Sequence, residues 1–165
     1  MTFARAALAA LLTLILAGCA YIAPLQPPAT FYVMRHLHTP AGVQDPDLTE
    51  EGQRYAELLV DQFGDNPPAS IFVSSTKRAQ QTAAPLAAKL GITPRIYVPG
   101  NAQALVAEVV KEPPPVLIVG HSNTVGDIIA ALGGRRPEPL THEDFGDIWR
   151  ISGDRPTTTR IRIGE

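Results

Sequence analysis

The chain has 165 residues, a formal net charge of −2 and 45% hydrophobic residues, enough apolar material for one globular domain and too much for a disordered chain. Near-neutral charge without a run of Lys or Arg excludes a general nucleic-acid binder, whose affinity needs positive charge clustered along one face. Its single cysteine, Cys19, excludes an intrachain disulfide, so stability has to come from the core.

The first twenty residues, MTFARAALAALLTLILAGCA, hold one charge at Arg5, a weakly polar to apolar run from Ala6 to Ala17, and then Gly18-Cys19. That run is shorter than the roughly 20 apolar residues of a membrane helix and reads as a signal segment. Leu16-Ala17-Gly18-Cys19 resembles a bacterial lipobox. The resemblance implies cleavage before Cys19, lipidation of that cysteine and a domain held on the extracytoplasmic side of a bacterial membrane, with the periplasmic side expected. Residues 1–18 are then a lipoprotein signal peptide. Residues 19–29, with Pro24, Pro27 and Pro28, form a semi-extended tether, and residues 30–165 form the domain. Acyl chains contribute about 0.8 kcal/mol per buried methylene, so several on Cys19 would anchor the protein almost permanently.

From residue 30 onward, strand-length apolar runs alternate with segments of helical period, which predicts a parallel sheet covered on both faces. The first strand is Phe31 to Arg35. A helical stripe follows at Leu48, Gly52, Tyr55, Ala56, Leu59 and Phe63, stopped by Gly64, with Glu50, Glu51, Arg54 and Glu57 as its solvated face. Ser70 to Ser74 is the second strand, followed by the stripe Ala79, Ala83, Leu86, Ala87 and Leu90, closed by Gly91. Pro85 lies inside this stripe and predicts a kink or two short helices. Arg95 to Val98 is the third strand. A third helix carries Ala102, Leu105, Val106 and Val109 and ends at Pro113-Pro114-Pro115. VLIVG, Val116 to Gly120, is continuously apolar, as a strand buried on both faces should be. A fourth helix, Val125, Ile128, Ile129 and Leu132, closes on Gly133-Gly134. The polar loop Arg135 to Gly146 is long enough to reach over a site. Two last strands, DIWRISG and TTTRIRIGE, complete the chain, the second alternating Ile161 and Ile163 with Arg160 and Arg162.

Three polar clusters fall at the carboxyl ends of parallel strands, the edge where open α/β sheets bind ligands. Arg35-His36 ends the first strand, SSTKRAQQTA leaves the second, and GHSNT leaves the fourth. Helix starts at Thr76 and Ser122 are expected to aim free N–H groups at the same edge, where they favour an anion. Two arginines, two histidines and two helix starts predict a phosphate pocket. Arg35 and Arg78 can grip phosphate oxygens through paired donors, and a neutral histidine beside a phosphoryl group can attack phosphorus.

RHLHT, LTEEGQRYA, SSTKRAQQTA and GHSNT resemble, in order and spacing, the motifs of the histidine phosphatase superfamily, the phosphoglycerate-mutase-like enzymes. The resemblance implies a three-layer α/β/α sandwich with a mixed, mostly parallel, six-stranded sheet. It implies that His36 is the phosphorylated nucleophile and that Arg35, Arg78 and His121 complete the phosphate pocket, with Thr39, Ser75 and Ser122 as supporting contacts. Two positions depart from the pattern. Leu37 stands where a small residue usually follows the first histidine. The general acid is also missing: VPGNAQALVAEVV offers nothing acidic before Glu108, and Ser122 follows the second histidine. Glu143 and Asp144 on the long loop are the candidate proton donors, ahead of Asp127 and His38. His38 and His142 otherwise read as exposed loop residues, and Trp149 as a core or pocket-rim residue. No metal is expected, because two arginines beside the histidines would oppose a divalent ion, and no cofactor, because no Gly-rich nucleotide loop follows a strand.

The expectation is a lipid-anchored phosphatase acting on a phosphomonoester or phosphohistidine-type substrate, its partners being a phosphorylated small molecule or phosphoprotein and no nucleic acid. A mutase is disfavoured, since the chain lacks large insertions to enclose an intermediate. The rival reading is a catalytically weak or inactive lipoprotein that binds phosphate or a phospho-ligand.

Overall fold

A computed structural model describes residues 29–164. The signal peptide expected over residues 1–18, Cys19 and the expected tether up to residue 28 lie outside the described residues. Six strands and four α-helices follow in the order β1 (Thr30–Arg35), α1 (Glu50–Leu58), β2 (Ser70–Ser74), α2 (Lys77–Leu90), β3 (Arg95–Tyr97), α3 (Ala102–Val109), β4 (Val116–Gly120), α4 (Val125–Ala131), β5 (Asp147–Ser152) and β6 (Thr157–Arg162). The strands form one sheet in the order β3-β2-β4-β1-β5-β6. Strands β1 to β4 are mutually parallel, while β5 and β6 are antiparallel additions. This is the expected mixed α/β sandwich.

Alternation along each buried strand sends side chains into two separate cores. Tyr32, Met34, Val73, Leu117 and Val119 pack on one face with Ala56, Leu59, Ala79, Ala83 and Leu86 from α1, α2 and the turn between them. Val33, Phe72, Ile118 and Trp149 pack on the other face with Leu105, Val109, Val125 and Ile129 from α3 and α4. Trp149 is therefore a core residue.

Register places the site. Arg35 pairs with Gly120 and Val73 with Val119, so β1, β2 and β4 end level with one another. The residues immediately beyond them, His36 and His121, emerge side by side, and His36 N–H donates to the Gly120 carbonyl at 2.9 Å. Antiparallel β5 begins at this same edge, with Ile148 opposite Met34, so the loop leading into it is delivered onto the ends of β1 and β4.

Three boundaries differ from expectation, and of the two forms expected around Pro85 the pair of separate helices is excluded. Residues 77–90 form one helix through Pro85. The lost bond is the one to the Gln81 carbonyl, and the buried stripe Ala79, Ala83, Leu86 and Ala87 holds both halves to the sheet. The first helix ends at Leu58 and tightens into a 3₁₀ turn, Leu59–Asp61, ahead of Gly64. β3 stops at Tyr97 because it is an edge strand, leaving Ile96 and Val98 exposed. The fourth helix starts at Val125, not at Ser122: the His121 carbonyl accepts from both Thr124 N–H and Val125 N–H, so residues 121–124 are a turn.

Candidate active site

His36 is 5% exposed. Its Nδ1 lies 2.8 Å from the Leu37 carbonyl oxygen. A carbonyl can only accept, so Nδ1 carries the proton and Nε2 keeps its lone pair. Burial, chiefly, pushes the ring's pKa down to about 3; the Leu37 bond opposes this, and Arg35, His121 and Arg78 add to it. The imidazole is therefore neutral throughout the physiological range. Leu37, where the resemblance implies a small residue, is held by its packing. Its side chain is wholly buried in the α1–α2 core, and its N–H donates at 2.9 Å to Thr82 Oγ1, which in turn donates to the Arg78 carbonyl at 2.7 Å. The loop under His36 is thus pinned to α2.

His121 faces His36 with ring centroids 5.3 Å apart. Arg78 Nη2 lies 3.4 Å from Nδ1 and can only donate, so Nε2 bears the hydrogen and donates to Ser74 Oγ at 2.9 Å. Ser74 is completely buried and reaches on to Thr76 Oγ1 at 3.0 Å. Burial first, then Arg78 and Arg35, bring the pKa of His121 down to about 4, against the opposing field of Asp45. Thr124 Oγ1 accepts from His121 N–H at 2.9 Å and fixes the backbone turn.

The arginines are bound more tightly than expected. Arg35 is 5% exposed, and its Nη1 donates to the carbonyls of Thr141, His142 and Asp144 at 2.6, 3.2 and 3.1 Å. The guanidinium lies 4.0 Å from the Phe145 ring centroid, a cation–π contact. One terminal nitrogen is thus committed to the long loop and not to an anion, while Nε is buried without a partner. Arg78, in the first turn of α2, bridges His121 through Nη2 and Asp45 through Nη1, the latter at 3.4 Å. Asp45 Oδ1 also accepts Lys77 N–H at 3.0 Å. The start of α2 is therefore already occupied by a carboxylate of the 40–48 loop.

Of the other expected residues, Thr39 and Ser122 are half-buried and Ser75 is exposed; among the described residues their hydroxyls make no hydrogen bond. Glu143 is exposed. Asp144 turns back on its own loop, its Oδ2 accepting Thr141 N–H at 2.6 Å and Thr141 O–H at 2.7 Å. Those two bonds hold its pKa below the usual carboxylate range. Asp127 pairs with Arg136. His142 is exposed, but His38 is not: it is half-buried, with ring centroids 4.5 Å from Phe145 and 4.8 Å from Tyr55, and burial lowers its pKa. Asp45, Ser74, Thr82, Thr124 and Phe145 join the site without having been singled out in the sequence. Ser74, Thr82 and Thr124 lie inside the stretches SSTKRAQQTA and GHSNT, while Asp45 and Phe145 lie outside any motif.

Two guanidiniums and two neutral imidazoles thus meet at the carboxyl edge of a parallel sheet in an α/β sandwich. Residues 31–100, which carry Arg35, His36 and Arg78, match the model of the histidine phosphatase superfamily, branch 1. A PE-PGRS family protein of Mycobacterium tuberculosis is 35% identical over 109 residues, which are 61% of this chain but only 18% of that much longer protein. Among solved structures, the protein histidine phosphatase SixA in complex with tungstate superposes with a TM-score of 0.66 at 18% identity, over 81% of this chain and 96% of that one. A mycobacterial glucosyl-3-phosphoglycerate phosphatase gives 0.61 at 20% identity, over 77% and 91%. These structural likenesses establish the shared fold.

Proposed function

We propose that the chain is a phosphatase that cleaves a phosphomonoester or phosphohistidine-type substrate in two displacements through phospho-His36, held at the extracytoplasmic face of a bacterial membrane by lipid on Cys19. The observation that carries this reading is the Nδ1–H bond of His36 to the Leu37 carbonyl, which leaves a neutral Nε2 beside His121 and the guanidiniums of Arg35 and Arg78. In the first step Nε2 attacks phosphorus, and the bond to the departing group breaks with its electron pair on that group. In the second, water attacks the phosphohistidine, the P–N bond returns its pair to Nε2, and the water's proton is released. The cationic groups offset charge on the transferring phosphoryl oxygens, the main demand of this chemistry.

A side-chain acid contributes about 10²- to 10⁴-fold to expulsion of an alkoxide. Asp144 is held in its ionised form and Glu143 is exposed, which favours substrates whose departing group leaves unaided, such as phosphohistidine, phosphoanhydrides and aryl phosphates. The phosphatase names of the structural relatives agree with either a phosphoprotein or a phosphorylated small molecule as partner. Hydrolysis of p-nitrophenyl phosphate by the wild type, lost by about three orders of magnitude or more in His36→Ala, tests the assignment. Full activity in that variant overturns it. Tight vanadate binding without turnover of any phosphoester would instead identify a phospho-ligand-binding lipoprotein. The anchor is tested by fractionation: Cys19→Ala should move the protein from membrane to soluble fractions, and unchanged partition would refute the lipid attachment.

A further inference from the structure

We propose that Asp45 selects the substrate's departing group by charge, favouring phosphorylated compounds that carry a cation beyond the phosphate and disfavouring those that carry a second anion. The inference rests on the phosphatase reading of the site and concerns the part of it that no motif residue describes.

Arg78 has two terminal nitrogens, and the structure uses them differently. Nη2 turns inward to His121 and Nη1 turns outward to Asp45 Oδ1. An anion held between the two imidazoles meets Arg78 on its inner side, so the Asp45 carboxylate lies about one guanidinium width further out. Its side chain is 43% exposed against 22% for Arg78, which puts it at the mouth, where the rest of a substrate must lie. Three features hold it there. Lys77 N–H anchors the carboxylate at the start of α2, whose capping residue Thr76 supplies no side-chain bond of its own. Gln81 Nε2 bonds Asp47 Oδ1, and Gln81 Oε1 accepts Leu48 N–H, tying the same loop to α2 one turn on. Asp45 also adopts φ +45°, a left-handed conformation costly for most side chains but tolerated by Asp. Asp45 counters the arginines in setting the protonation of His121, so its field reaches the pocket. Lys77 Nζ lies 3.8 Å from Asp47 and not beside Asp45, which leaves Asp45 facing the mouth with Arg78 as its cationic partner.

A unit charge about 8 Å from a half-exposed carboxylate changes binding by a factor of roughly 2 to 30, for an effective dielectric between those of water and a protein surface. The test compares 4-(aminomethyl)phenyl phosphate with 4-(carboxymethyl)phenyl phosphate, whose phenols depart with nearly equal ease. Asp45→Asn keeps the acceptor for Lys77 N–H and tolerates the same backbone conformation, so it removes charge and little else. The wild-type ratio of kcat/KM, amine over carboxylate, should fall about tenfold in Asp45→Asn. It should also shrink in the wild type as salt rises, and it should be unmoved in Glu57→Gln on the exposed face of α1. Taking a ratio cancels any general loss of activity. The same two phosphates titrated calorimetrically into His36→Ala, with and without Asp45→Asn, give the ratio in dissociation constants. If the wild type hydrolyses neither phosphate, the phosphatase reading fails while the binding ratio still decides the role of Asp45. A ratio that moves less than twofold in both assays overturns the proposal.

Discussion

Acidification should unfold this protein through its own site. His36 and His121 are held neutral in the folded state, with pKa values brought down to about 3 and about 4 mainly by burial, whereas in the unfolded chain both return to about 6.5. Between those values the unfolded chain binds more protons, so stability is complete above pH 6.5 and drains away as pH falls towards 4 and then 3. At pH 4.5, with the unfolded imidazoles almost fully protonated and the folded ones mostly not, linkage gives a loss somewhat under about 3 kcal/mol per histidine. Together they reach about 5 kcal/mol, comparable with the whole stability of a marginally stable domain. His36→Gln removes one titrating ring at similar volume. Urea unfolding of wild type and variant from pH 7.5 to 4.5 should show the wild type losing about 3 kcal/mol more than the variant over that range. Parallel pH dependences in the two proteins would refute the claim that His36 is buried in its neutral form.

Three further substitutions probe the scaffold. Gly52→Ala should destabilise by about 1 to 3 kcal/mol, although alanine favours helix, because the added Cβ would sit 2.4 Å from the His38 carbonyl oxygen; a raised melting temperature would show that the 38–48 loop gives way. Thr82→Val keeps volume but strips the buried Leu37 N–H of its acceptor, so urea titration should record a loss of about 1 to 3 kcal/mol, and an unchanged midpoint would disprove that pin. Ser74→Ala frees His121 Nε2–H and should lower kcat/KM on an aryl phosphate by about tenfold or more, the worth of a buried hydrogen bond of 1 to 2 kcal/mol. Wild-type kinetics in that variant would mean that His121 is oriented by Thr124 and Arg78 alone.

Much of the architecture was legible because burial leaves a periodic trace. Runs such as VLIVG are apolar throughout since helices cover both faces of β4, and the stripes Ala79–Leu90 and Val125–Leu132 repeat with the helical turn. His36 and His121 were legible as neighbours because each follows a parallel strand, and parallel strands in register end together. What escaped depends on contacts that leave no pattern in the chain. Arg35 Nη1 is held by backbone carbonyls, which every residue possesses, so nothing in THEDF announces the bond. Asp45 belongs to a loop with no period, and its part in the site arises only where that loop meets the start of α2. The burial of His38 follows from Phe145 and Tyr55 arriving from two distant segments. Pro85 left open whether the helix would split, and tertiary packing of α2, which outweighs one missing hydrogen bond, keeps it whole.

The most direct test of the account is chemical trapping of the intermediate. Wild-type protein mixed with an aryl phosphate and quenched in alkali within the first turnover should yield a single phosphorylated peptide spanning residues 30–38, stable to base, labile to acid and absent from His36→Ala. A first-turnover quench that leaves that peptide unmodified while phosphate is released, or that finds the phosphoryl group on another residue, would contradict it.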